Sequence, residues 1–201
     1  MRISSVVALC LGLTVVSTAA AESPGPFDFS FTAPGGTIPA IDLNADNEGI
    51  SVFPLTMVNP RIPNIASLEL VLTGLTHTEP ADLDIYLINP FGTRTLEVMT
   101  DRGDRQTLLA TELVFTDKAP GLPPENALIP PGFYLPEGPG GFGIFAGTSG
   151  GTDAWKLLII DDSETDSGSL TSFTLRGTIP EPMTLSLLAL GALATFRRRR
   201  R

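Results

Sequence analysis

The chain has 201 residues, a formal net charge of −9, one histidine, one tryptophan and one cysteine. With Cys10 as the sole cysteine, an internal disulfide or a cysteine-based zinc site is excluded. The charge is unevenly spread. Arg2 and Arg197 to Arg201 sit at the two ends, so the stretch from Glu22 to Glu181 holds 22 acidic residues against seven basic ones, a net charge near −15. Such a surface disfavours phosphate backbones, and no nucleic-acid partner is expected.

At the N-terminus, Arg2 precedes an apolar core, Val6 to Val16, and Ala19-Ala20-Ala21 forms an A-x-A cleavage site before Glu22. Positive start, short apolar core and small-residue site together are those of a secretory signal peptide, residues 1–21. The Sec machinery and signal peptidase are the partners this implies. Val7-Ala8-Leu9 before Cys10 lacks the small residues of a lipid-attachment site, and Cys10 lies too early in the core.

The body that follows is one domain's worth of chain. Glycine and proline punctuate it throughout, and the runs between them alternate apolar with polar, which argues for an all-β domain. Residues 22–37 read as an N-terminal strand and linker. Phe27, Phe29 and Phe31 alternate with Asp28 and Ser30, and Pro34 to Pro39 reads as turn-rich. Ile50 to Val58 is a strand bent by Pro54. In Ile65 to Leu75, Leu68, Leu70 and Leu72 share one face, with Glu69 and Val71 on the other. Leu83, Ile85 and Leu87 repeat the pattern before an Asn89-Pro90-Phe91-Gly92 turn, and Thr93 to Met99 returns as a hairpin. Leu113 to Phe115 is a short strand, and 119–151 is a long Pro- and Gly-rich loop. Trp155 to Ile160 is a strand, Asp161 to Gly168 an acidic turn, and Leu170 to Thr178 the last strand. Strands of this size and spacing predict a single β-sandwich or jelly roll.

The order Leu68-Glu69-Leu70-Val71-Leu72, His77-Thr78, Asp82-Leu83-Asp84-Ile85-Tyr86-Leu87 and Asn89-Pro90-Phe91-Gly92-Thr93 resembles a known family. Gly151, Trp155-Lys156-Leu157, Asp161, Asp166-Ser167-Gly168-Ser169-Leu170 and Phe173-Thr174-Leu175 continue the likeness. The family is the P domain (P/Homo B domain) that follows the catalytic domain of proprotein convertases and many bacterial subtilisin-like proteases. The likeness spans 38–178. It implies a β-sandwich of jelly-roll topology that stabilises or assists a protease. The chain before residue 38 is too short to hold a protease, so a structural or binding role is expected.

Three chemistries are open to the body. His77 precedes Ser149, within Gly147-Thr148-Ser149-Gly150-Gly151, in an order that a Ser-His-Asp hydrolase would need. The body is too short for the double-barrel protease that the glycine-flanked serine resembles. No catalytic residue is therefore expected, and a hydrolase using Ser149 and His77 is the least favoured alternative. Asp161, Asp162 and Asp166 crowd one turn and Asp82 and Asp84 another, a carboxylate supply suited to calcium outside the cell. Asx turns that cap backbone groups would use the same residues. For glycan binding, Tyr134 in the long loop beside Phe133 is the candidate platform, with Trp155 and Tyr86 expected in the core.

The C-terminus reads Pro180-Glu181-Pro182, an apolar run from Met183 to Phe196, then Arg197-Arg198-Arg199-Arg200-Arg201. As a helix the 14-residue run would extend roughly 21 Å, short of the about 30 Å hydrocarbon core unless its flanks and snorkelling arginines extend it. The arginines would stay cytoplasmic, leaving the body outside. This ending, residues 180–201, resembles the PEP-CTERM sorting signal of Gram-negative bacteria. That likeness implies recognition and removal by an exosortase-like membrane enzyme, with transient anchoring by the helix. The family's association with exopolysaccharide adds a further expected partner. The chain thus reads as an exported, non-enzymatic envelope or extracellular-matrix protein. The alternative is a polysaccharide-binding module or an accessory to a separate protease.

Overall fold

A computed structural model describes residues 27–42, 47–57, 62, 64–149 and 153–180. The predicted leader, Glu181, Pro182, the apolar run and Arg197 to Arg201 lie outside the described residues. Among the described residues, no helix is long and apolar enough to cross a membrane.

The described residues of the body are all-β, forming eleven strands: β1 (Phe29–Ile38), β2 (Ile41–Asp42), β3 (Asn47–Glu48), β4 (Ile50–Leu55), β5 (Ser67–His77), β6 (Leu83–Ile88), β7 (Thr95–Thr100), β8 (Leu108–Phe115), β9 (Gly132–Tyr134), β10 (Trp155–Asp161) and β11 (Gly168–Thr178). Helical turns are confined to two short 3₁₀ segments, Pro80–Asp82 and Gly141–Phe145, among the described residues. A five-stranded sheet has the order β1-β11-β5-β8-β9 and a four-stranded sheet the order β4-β10-β6-β7, while β2 and β3 form a small ribbon. Apart from the parallel pair β8–β9, the pairings are antiparallel.

Period-two alternation places the core between the sheets. Leu70, Leu72, Leu83, Ile85, Leu87, Leu157, Ile159, Phe173 and Leu175 all point inward and are buried. Phe115, Phe142, Phe145 and Trp155 fill the same core. Each such side chain contributes about 1.5–3 kcal/mol by leaving water.

The structure corrects the reading of 34–39 as a turn-rich linker, because β1 runs through Ile38 in register with β11 down to Ile38↔Gly168. Two local facts permit this. β1 is an edge strand, where proline's missing N–H is tolerated. A Cβ at Gly35 would lie 2.2 Å from the Leu170 carbonyl oxygen, so only glycine lets the strands approach. β8 is also longer than the predicted 113–115, and residues 132–134 of the long loop add β9 to its edge.

The antiparallel registers define two ends. At one, β5 closes at His77, β10 at Asp161 and β1 at Ile38, while β6 and β11 begin. At the other lie Ser67, Trp155, the β6–β7 hairpin and the exit of β11 at Thr178. Gly147 N–H donates to the Ile65 carbonyl (2.9 Å), and Ile65 N–H to the Thr148 carbonyl (2.9 Å), tying the sheets together there. The seven residues of β10 separate the ends by about 23 Å.

Candidate functional site

Titratable groups converge where β5 and β10 end. His77 and Asp161 close their strands facing inward, and each is buried. His77 Nε2 lies 3.0 Å from Asp161 Oδ2, and Nδ1 lies 2.8 Å from the Glu79 carbonyl oxygen. Asp161 Oδ1 also accepts from Ser163 N–H at 3.1 Å. Both ring nitrogens are therefore engaged inside the fold.

Outside this pair, carboxylate oxygens of Glu79, Asp82 and Asp166 lie within 4.8 Å of one another. Pro80 begins the 3₁₀ turn that swings Asp82 back beside Glu79. Asp166 Oδ1 accepts from Thr78 Oγ1 (2.8 Å), and its Oδ2 accepts from Ser163 Oγ (2.9 Å) and Thr165 Oγ1 (3.2 Å). Desolvation pushes the Asp166 pKa up, but hydrogen bonds from Thr78, Ser163 and Thr165 outweigh it, and the net shift is below the ordinary value. Asp82 is held above its ordinary value, first by burial and then by the charge of Glu79. Asp84 is pushed up to about 6, first by burial and then by the charges of Asp101, Asp162, Glu97 and Glu137.

Of the five predicted calcium ligands, the structure brings only Asp82 and Asp166 together. Asp161 is turned into the core by the parity of β10 and spent on His77 and Ser163. Asp84 points outward from β6, and Asp162 is exposed beyond the end of β10. The partner that sequence reasoning missed is Glu79. Its signal was Glu79-Pro80, three residues before Asp82 across a proline-initiated turn. With one oxygen from each, three carboxylates supply at most half of the six to eight oxygens calcium takes, so carbonyls, second carboxylate oxygens or water would have to complete an open site.

Ser149 lies far from His77. Its Oγ is 3.5 Å from the Ile62 carbonyl oxygen, at the opposite end of the sandwich. The Ser149–His77 pairing that a hydrolase would need is not assembled. The tyrosines exchange roles relative to expectation. Tyr134 is buried in β9, where its hydroxyl donates to the Pro130 carbonyl at 2.7 Å and its ring packs against Phe115. Tyr86 sits between inward-facing Ile85 and Leu87, so its ring is on the outer face of the four-stranded sheet. Trp155 is in the core as expected, edge-on to Phe145 at 5.0 Å.

The outer face around Tyr86 is apolar. Ile50 and Val52 of β4 are 43% and 51% exposed. Their partners across β10 are Ile160 and Leu158, which pair in turn with Asp84 and Tyr86. Glu97 of β7 stands opposite Tyr86. The other sheet's outer face differs. There Glu69 is buried beneath Arg176 (Nε to Oε2, 3.2 Å) and Thr116 (Oγ1 to Oε1, 2.9 Å).

Residues 178–201 match the PEP-CTERM protein-sorting motif. The motif implies exosortase-dependent export to the envelope, with an exosortase as the sorting partner. Compared with the curated proteins, the chain has no match. Among solved structures it is similar to the serine protease of Aeromonas sobria, with 17% identity over 76% of this chain and 27% of that one, at a TM-score of 0.32. The same protease in complex with its chaperone gives 16% identity, 77% and 28% coverage, and a TM-score of 0.33. The chain spans about a quarter of the length of these proteases.

Proposed function

We propose that this is an exosortase-sorted protein of the envelope or extracellular matrix whose β-sandwich acts by interaction and not by turnover. The observation that carries this reading is the sorting motif at 178–201, which begins at the last residue of β11. The engagement of both His77 nitrogens, and the distance of Ser149 from them, support a non-catalytic body. The P domain-like order of motifs supports an accessory role in the same sense. The test is mass spectrometry of the mature C-terminus together with cell fractionation, with and without the exosortase. A trimmed C-terminus that depends on the enzyme is expected. An intact tail on a cytosolic protein would sink the proposal.

A second reading concerns what the body meets. Tyr86 flanked by Asp84 and Glu97 on an apolar sheet face offers a stacking ring beside hydrogen-bond acceptors, which suits extracellular polysaccharide. Polysaccharide pull-down that is lost in Tyr86→Ala and retained in Tyr134→Phe is the expected result. Equal retention by both variants would reject it. For calcium, we propose Glu79, Asp82 and Asp166 as the ligands, filled weakly at extracellular concentration. A rise in melting temperature with millimolar calcium, absent in Asp82→Asn with Asp166→Asn, tests this.

A further inference from the structure

The chain leaves the body at a fixed point. β11 is held on both sides, by β1 (Phe29↔Gly177) and by β5 (Thr178↔Ser67). Ala66 N–H donates to the Thr178 carbonyl at 2.8 Å, and Ile179 N–H donates to the Asp28 carboxylate at 2.8 Å. The end of β11 therefore cannot peel away without opening a five-stranded sheet.

From Ile179 the apolar run begins only four residues on, at Met183. Four residues of fully extended chain reach at most about 14 Å. The headgroup layer on each side of a bilayer is about 5–8 Å deep. If Met183 enters the hydrocarbon, this end of the sandwich cannot stand far clear of the headgroups.

That end is also the one suited to such contact. The β6–β7 hairpin projects there, and Phe91 at its tip is 56% exposed. Asn89 builds the tip, its Oδ1 accepting from Thr93 N–H (2.9 Å) and Arg94 N–H (3.0 Å). Arg94 and Lys156 are exposed nearby, Arg94 bracing the loop through the carbonyls of Ile144 and Ala146. Among the described residues, the acids at this end are mostly engaged. Asp28 accepts from Ile179, and Asp117 accepts from Phe142 and Gly143 N–H groups (2.8 and 3.0 Å), while Asp153 is exposed. Glu79, Asp82, Asp84, Asp162 and Asp166 gather about 23 Å away at the far end. The charge distribution thus turns the acidic end away from an anionic surface.

We infer that the tail-bearing end is a bilayer-contact surface: its partner is the headgroup layer of the membrane that holds 183–196, and Phe91 is seated at the interface. Aromatic rings favour that layer. The inference rests on the reading of the tail as membrane-inserted. It confines Pro180 to Pro182 to the gap between body and bilayer, so an enzyme acting on the motif must approach along the membrane plane.

The test uses the full chain carrying Cys10→Ser, with a single fluorescent label at Phe91→Cys or at Glu164→Cys. Each is reconstituted into phosphatidylcholine vesicles with and without a headgroup-nitroxide lipid. Loss of emission is expected at position 91 and none at 164. A long Gly-Ser spacer between Ile179 and Pro180 should abolish the loss at 91 while the protein stays in the carbonate-washed membrane pellet. Equal quenching at both positions, or a signal at 91 indifferent to the spacer, would overturn the inference with the protein still in the pellet. Extraction of the unmodified-length protein by carbonate would instead overturn the membrane reading beneath it. Circular dichroism confirms that each labelled variant is folded.

Discussion

The two ends of the sandwich are closed by opposite chemistry. At the tail-bearing end an aromatic pair, Trp155 edge-on to Phe145, fills the space between sheets. The Trp155 indole N–H has no hydrogen-bond partner there among the described residues. At the acidic end closure is polar, with His77 and Asp161 buried face to face and a shell of carboxylates outside them. Apolar closure is non-directional and accepts chain exits and a hairpin around it. Polar closure demands defined partners and therefore locks the ends of β5 and β10 in one arrangement.

Five variants break or sharpen this contrast. Trp155→Ala should cost the most, about 4 kcal/mol, because it leaves a cavity at the apolar end. Urea denaturation would measure it as a lower midpoint. Asp161→Ala should cost about 3 kcal/mol by leaving the buried imidazole without its carboxylate. His77→Leu with Asp161→Leu should lose less than Asp161→Ala alone, since neither partner is then stranded. A larger loss in the double variant would mean the pair stabilises beyond its own satisfaction.

Asp84→Asn should act in the other direction. The folded-state pKa of Asp84 is about 6 against an ordinary 3.8, so the folded chain holds the proton more tightly than the unfolded chain. Stability therefore falls as pH rises from about 4 to about 6, and the penalty is complete above that window. Allowing for solvent screening of a partly exposed group, the variant should gain about 1 kcal/mol at pH 7. The gain should vanish below about pH 4, as a pH series of thermal melts would show. Phe91→Ala should be the smallest effect, within about 0.5 kcal/mol, because the ring touches solvent and not the core. A clear loss of stability there would mean the hairpin tip serves the fold.

Much of the fold was legible because alternation is local. Leu83, Ile85 and Leu87 declare the inner face of β6, and Asn89-Pro90-Phe91-Gly92 declares the turn that follows. Tyr86 of the same strand, expected in the core for its size, lies instead on the outer face. Residues 34–38 were opaque because proline and glycine signal turns, whereas here an edge position and a close approach to Leu170 make both acceptable in a strand. Tyr134 was opaque because β9 is only three residues long and gains its place by pairing with β8.

The candidate acidic site was legible in composition and not in membership. That Asp82 and Asp166 matter together follows from two loops meeting, and Glu79 joins them only through the turn at Pro80. His77 and Asp161 stand 84 positions apart, and no spacing rule connects them.

What the sequence determined by itself was the all-β character, the inner face of each regular strand and the sorting motif of the tail. These are encoded in contiguous residues. Only the tertiary structure decided which acids share a site, which tyrosine meets solvent, and that the tail exits opposite the acidic end, at the same end as Phe91. Those depend on the register between strands distant in the chain, where the free energy of packing both sheets together selects one alignment that no local pattern specifies.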